Sequence, residues 1–196
     1  MRTTLLNIYN MKPAYSDPEL LNWTLNIAQK FNLTTFLETG TYKGESAKIV
    51  SQYFQKVITI ENNHDNYKDA VYNLKDVINC KPYFGNSPEI MNIVLEEYSN
   101  NTFFFLDAHW DEYWPILDEL KIIKNKKIKP VIAIHDFFVP DENKQAKFGF
   151  DSYNNQPLDI NYIKNALNEI YDGIFKVKYS STSETNSGVV YICPII

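Results

Sequence analysis

From Thr34 onward the chain alternates short β-rich runs with helical patterns: TTFLE, GESAKIVSQYF, KVITIE, NYKDAVYNLK, VINCKPYF, SPEIMNIVLEEY, TFFFLDA, YWPILDELKIIKN and PVIAIHDF. Strands that alternate with amphipathic helices pair in one direction through right-handed crossovers, so this order predicts an α/β fold with a doubly wound, mostly parallel sheet. Ala47, Val50 and Phe54 share one helical face, as do Ile116, Leu120 and Ile123, which marks both helices as covers for the sheet. Asp17-Pro18 and Ser87-Pro88 each place a capping side chain before a proline suited to the first helical position. The last third differs: a polar, aromatic stretch over 140–159, a helix NYIKNALNEIY, then IFKVKYSS and GVVYICPI, spaced to pair as an antiparallel hairpin. Residues 1–33 add an N-terminal helical segment, and with no linker or repeat the chain reads as one domain over 1–196.

Composition excludes several classes. No long apolar run is present and the start lacks a secretory pattern, so no membrane partner and a cytoplasmic location are expected. Cys80 and Cys193 lie far apart in apolar runs without metal-ligand spacing and read as reduced core thiols. Net charge is −5, and the basic run Lys121 to Lys129 reads as the solvated end of a helix, so nucleic acid is not the expected partner.

The chemistry concentrates at strand ends. In FLETGTYKGESAKIV, Phe36 to Val50, an apolar run gives way to a helix across Glu38, Thr39, Gly40, Thr41, Tyr42, Gly44 and Ser46. Such a junction sits at the carboxyl edge of the sheet, where open α/β folds bind ligands and the free amides of a helix start face the crevice. Gly40 and Gly44 are expected to let a ligand approach the backbone, while Glu38 repels a pyrophosphate and suits a cationic group. The next strand ends in Glu61 and Asn62, where a carboxylate accepts both hydroxyl protons of a ribose. Gly85, Asn86 and Ser87 follow the third strand, small and polar, fit to meet a purine edge. A ligand with ribose, adenine and a cationic amino acid end but no phosphate matches S-adenosylmethionine.

These residues resemble the class I S-adenosylmethionine-dependent methyltransferases, and within them small-molecule O-methyltransferases of the catechol type and metal-dependent sugar O-methyltransferases. FLETGTYKGESA, VITIENN, YFGNSPEI, FFFLDAHWDEYW and IAIHDFFVP are similar, in order, to that family's motifs over roughly half the chain, from Phe36 to Val139. The resemblance implies a Rossmann-like sheet of seven strands with a C-terminal antiparallel hairpin. It places Glu38, Gly40 and Tyr42 at the methionine end, Glu61 at the ribose, and Asn86, Ser87, His109 and Trp110 at the adenine. It also matches Asp107 and Asp136 to two metal-holding carboxylates. This chain departs from the pattern at Phe137, where the family has a third ligand, Asn, and near Asp111, where it has a basic Lys.

Two mechanisms stay open. In one, Asp107 and Asp136 hold Mg2+ or another divalent ion, with His135 in place of the missing Asn, and acceptor hydroxyls chelate it. In the other, His109 is the general base and Asp107 orients it. The acceptor loop is expected over Pro140 to Asp159, with Asp151 and the aromatics of FGFDSY suited to a sugar or glycan end. Trp114 reads equally as a site or a core residue. The competing functional readings are a NAD- or nucleotide-sugar-binding oxidoreductase and a non-catalytic domain of the same fold. This fold often pairs, so a homodimer is one possible assembly.

Overall fold

The computed structural model describes residues 12–98, 101–109, 113–182 and 186–195. A 3-10 turn (Ala14–Ser16) leads into α1 (Pro18–Phe31), followed by β1 (Thr35–Thr39), α2 (Glu45–Val50), β2 (Lys56–Glu61), α3 (His64–Leu74) and β3 (Cys80–Phe84). Then come α4 (Ser87–Val94), β4 (Thr102–Leu106), α5 (Ile116–Asn125) and β5 (Val131–Ile134). A two-residue pair, β6 (Ser152–Tyr153) and β7 (Gln156–Pro157), precedes α6 (Ile160–Tyr171), β8 (Phe175–Ser181) and β9 (Gly188–Pro194).

Seven strands form one sheet in the order β3-β2-β1-β4-β5-β9-β8. The first five are parallel, and β9 inserts antiparallel between β5 and β8. Chain order therefore reverses between β1 and β4, the switch point at which the carboxyl ends of two strands part and leave a crevice.

Side-chain alternation sorts the core onto the two faces of the sheet. Phe36, Val57, Phe103, Phe105 and Tyr191 pack with Leu20, Ile27, Ala47, Val50, Ala70 and Leu74 from α1, α2 and α3. Leu37, Ile58, Phe104, Leu106 and Ile132 pack with Met91, Leu120, Ile123, Ile163 and Leu167 from α4, α5 and α6. Because β1 and β4 are covered on both faces, every residue of each is buried.

Asp17 caps α1 as expected, accepting from the N–H groups of Glu19 and Leu20 at 2.9 and 3.0 Å. At α4 the expectation shifts by one residue: Asn86 stands at the N-cap and makes no capping bond, while Ser87 is already helical. Cys193 is buried, but Cys80 is only half-buried, because β3 is the edge strand. Its Pro82 fits that edge, where a missing N–H breaks no inner ladder. Residues 140–159, expected to lack secondary structure, carry the β6–β7 pair and an isolated bridge between Pro140 and Ala146. Among the described residues no helix is long and apolar enough to cross a membrane.

Candidate active site

The turn from β1 into α2 holds Gly40, Tyr42 and Gly44 at φ of 83°, 51° and 80°. At Gly40 a Cβ would stand 2.6 Å from the carbonyl oxygen of Asp107, so glycine lets the ends of β1 and β4 meet. At Gly44 it would stand 2.9 Å from Leu74 Cδ1 of α3. Both glycines thus answer to the protein's own packing, and only Gly40 also lines the crevice. Four of the turn's amides are engaged within the protein. Gly40 and Thr41 donate to the carbonyl of Ile60, Gly44 to that of Thr41, and Tyr42 to the Glu61 carboxylate at 2.7 Å. Those four are thereby taken from any phosphate.

Glu38 is buried beneath this turn and accepts from the Thr59 hydroxyl at 2.6 Å. Thr59 lies within 2.6 Å of Thr41 Oγ1, which chains three polar groups across β1 and β2. Burial pushes the Glu38 carboxyl up to about 8, more than the Thr59 bond lowers it. Glu61 accepts from the N–H groups of Tyr42 and Asn63, one on each oxygen, and burial still raises its pKa.

Two adjoining cavities open over these groups. One, of about 450 Å3, is lined by Glu38, Gly40, Thr41, Tyr42 and Ser46, by Asp107, His109, His135 and Asp136, and by Lys12 to Ala14 from the N-terminal side. The other, of about 600 Å3, is lined by Glu61, Asn62, Gly85 and Ser87. Gly40, Tyr42, Asp107 and His109 border both. Thr39 lies beneath, its carbonyl and hydroxyl receiving the Asp107 N–H at 3.2 and 3.4 Å. Asn86 Oδ1 is buried without a partner, but Asn86, expected at the adenine, lines neither cavity, whereas its neighbours Gly85 and Ser87 line the second. Ser87 Oγ donates instead to Glu119 Oε1 at 2.5 Å.

Past the shared wall, histidines and carboxylates gather. His135 Nδ1 lies 3.1 Å from Asp107 Oδ1 and 3.5 Å from Asp136 Oδ2. Burial opposes charge on this imidazole, but the two carboxylates outweigh it and hold its pKa well above the usual value. Asp136 responds in the opposite sense: burial raises its carboxyl, yet the bond and charge of His135 bring it to about 2. Asp136 also has φ of 48°, uncommon for a residue other than glycine. Asp107 was expected to orient His109; it meets His135 instead. Facing His109 is Asp151, with Oδ2 3.7 Å from Nδ1. The Asp151 N–H bonds the carbonyl of Asp136, which pins the 140–159 segment to the end of β5.

Among the described residues, Asp107, His109 and Asp136 form a group that could hold a metal ion, one ligand atom from each lying within 4.8 Å of the others. A divalent cation fits that mixed oxygen and nitrogen set. His135, expected to take the third place, has its Nδ1 turned to the carboxylates. Phe137 is fully buried in the core. Trp110 and Asp111 lie outside the described residues. Trp114 is buried and meets Tyr162 edge-on at 5.4 Å, a core contact.

Glu119 and Thr59 were missed. Glu119 had a visible signal, since it is a charged residue on the apolar stripe Ile116, Leu120, Ile123. Thr59 had none, because a threonine inside a strand is ordinary.

No protein-family model matches the chain, and no curated protein does. Solved structures do. An O-methyltransferase from Bacillus cereus in complex with SAH aligns with a TM-score of 0.60 at 14% identity, covering 97% of this chain and 84% of its own. The N-terminal domain of EvdMO1 with SAH bound gives 0.59 at 12%, covering 93% and 84%, and is also known in the presence of D-fucose. An rRNA methylase from Streptococcus thermophilus gives 0.58 at 9%, covering 90% and 96%. At these identities the likeness is one of fold.

Proposed function

We propose that this chain, which has the Rossmann-like methyltransferase fold, transfers a methyl group from S-adenosylmethionine to a hydroxyl of a small molecule, a sugar or glycan end above all. One observation carries the reading: the Glu38 and Glu61 carboxylates stand at the ends of adjacent strands and open on a continuous crevice that runs to Asp107 and His109. Glu38 would meet the cationic amino end and Glu61 the ribose hydroxyls, while Gly85 and Ser87 would border the adenine.

Transfer is an in-line displacement. The acceptor oxygen bonds the methyl carbon as the carbon–sulfur bond breaks, the sulfonium leaves as a neutral thioether, and the acceptor proton goes to a base. The protein's task is to orient the two reactants and take that proton. His109 stands at the junction of the two cavities with Asp151 facing its Nδ1, and as a neutral imidazole it would serve either as a metal ligand or as the base that takes the proton, not both. Asp107, His109 and Asp136 would hold a divalent ion, which lowers the pKa of a coordinated hydroxyl. His135 lies between Asp107 and Asp136, in contact with both, and holds the Asp136 carboxyl ionised. The close His109–Asp151 pair favours a second reading in which His109 is the base without metal.

Support for a polyhydroxylated acceptor comes from Asp151, which faces His109, together with the EvdMO1 domain solved in the presence of D-fucose; Phe150 and Tyr153, expected at a sugar face, pack instead on Phe138 and Trp114. The rRNA methylase shares the fold, but a net charge of −5 argues against a polyanionic acceptor. Titration calorimetry with S-adenosylhomocysteine and with NAD tests the cofactor: tight NAD binding with no response to the thioether would eliminate the proposal. Mass spectrometry of a panel of sugar and catechol acceptors, with and without chelator, then separates the metal-assisted reading from the metal-free one.

A further inference from the structure

Glu119 takes no part in the chemistry above, yet it is the charged group most difficult to account for as packing. It sits on the sheet-facing side of α5, 1% exposed, where a leucine would fill the space at no electrostatic cost. Burial pushes its carboxyl up to about 7, against the lowering effect of the Ser87 hydrogen bond. Ser87 opens α4 just after β3, whereas Glu119 stands on α5, the helix that follows β4 in the chain, so this one bond ties two walls of the crevice together. With the Ser87 hydroxyl drawn down to it at 2.5 Å, the neighbouring Asn86 oxygen remains the unpartnered acceptor of the turn.

We infer that Glu119 is a positioning residue for the nucleoside half of the crevice: through Ser87 it fixes the Gly85–Ser87 turn relative to α5. This rests on the proposed use of S-adenosylmethionine. A hydroxyl bonded to a buried carboxylate has one defined orientation, and a turn tied on its inner side holds its outer edge ready for the purine.

Calorimetry with S-adenosylhomocysteine and with adenosine tests this on Glu119→Gln, Ser87→Ala and the double variant. Glutamine replaces a carboxylate acceptor by a weaker amide one, so Glu119→Gln should weaken both ligands by the same factor, about fivefold. The thermal midpoint without ligand should hold or rise, since a buried carboxyl is removed. In the Ser87→Ala background the loss should vanish, because no hydroxyl remains for the carboxyl to hold. A Glu119→Gln protein that binds both ligands as tightly as the wild type overturns the inference, whether or not its midpoint falls, and leaves the methyltransferase reading intact. If that variant does not fold, Ser87→Ala decides alone: unchanged affinity for both ligands overturns the inference. A wild type that binds neither ligand removes the cofactor reading and this one with it.

Discussion

Glu38 faces two opposed demands under the proposed function, because a carboxylate that is to meet a cationic ligand is buried where its charge is costly in the free protein. Its carboxyl titrates near 8 when folded against an ordinary 4.5, so the folded chain holds a proton that the unfolded chain has released. Stability from this group is complete below pH 4.5 and is lost as pH rises to 8. Glu38→Gln, neutral throughout, should match the wild type in melting temperature at the acid end and exceed it by about 10 °C at the alkaline end. It should also bind S-adenosylhomocysteine more weakly. Parallel melting profiles across that range would show that the carboxyl is ionised in the free protein. His109 sits at the opposite end of the site and is exposed, so its loss costs the fold little. His109→Ala should keep thioether affinity while methyl transfer falls about a hundredfold or more; unchanged turnover removes it as base or ligand.

At the level of elements, the site depends on strand ends that meet without side chains between them. Gly188, where β9 begins, would carry a Cβ 2.1 Å from the Phe137 carbonyl, next to Asp136 in the chain. Gly188→Ala must push β9 away from the end of β5 and should cost about 3 kcal/mol in urea unfolding. Gly44→Ala meets the movable end of Leu74 and a φ of 80°, so it should cost less, about 1 kcal/mol. The reverse ranking would mean that the β5–β9 junction yields more readily than the α2–α3 contact. The 140–159 segment is held by the same junction: Gly149 accepts from the Gly188 N–H, and Asp151 donates to Asp136. Displacing β9 therefore moves Asp151 relative to His109.

On the scale of the whole molecule, a ligand in the crevice touches the ends of β1, β2 and β4 at once, so its binding energy appears as global stability. S-adenosylhomocysteine at a hundred times its Kd should add about 2.7 kcal/mol and raise the melting temperature by about 5–10 °C; NAD at the same concentration should leave it unmoved. Element order, the terminal hairpin and the carboxylates at strand ends were all legible in the residues, because hydrophobic period and turn chemistry act over a few positions. The fate of the turn's amides was not, since Ile60 and Glu61, which take them, belong to another strand. Nor was the pairing of histidines with aspartates: Asp107 and His135 are 28 residues apart, and His109 meets a loop carboxylate whose path β9 sets. By itself the sequence determined which chemical groups stand at the sheet's carboxyl edge. The tertiary structure alone decided which of them touch, because strand stagger and loop path set distances of a few ångströms that no local preference encodes.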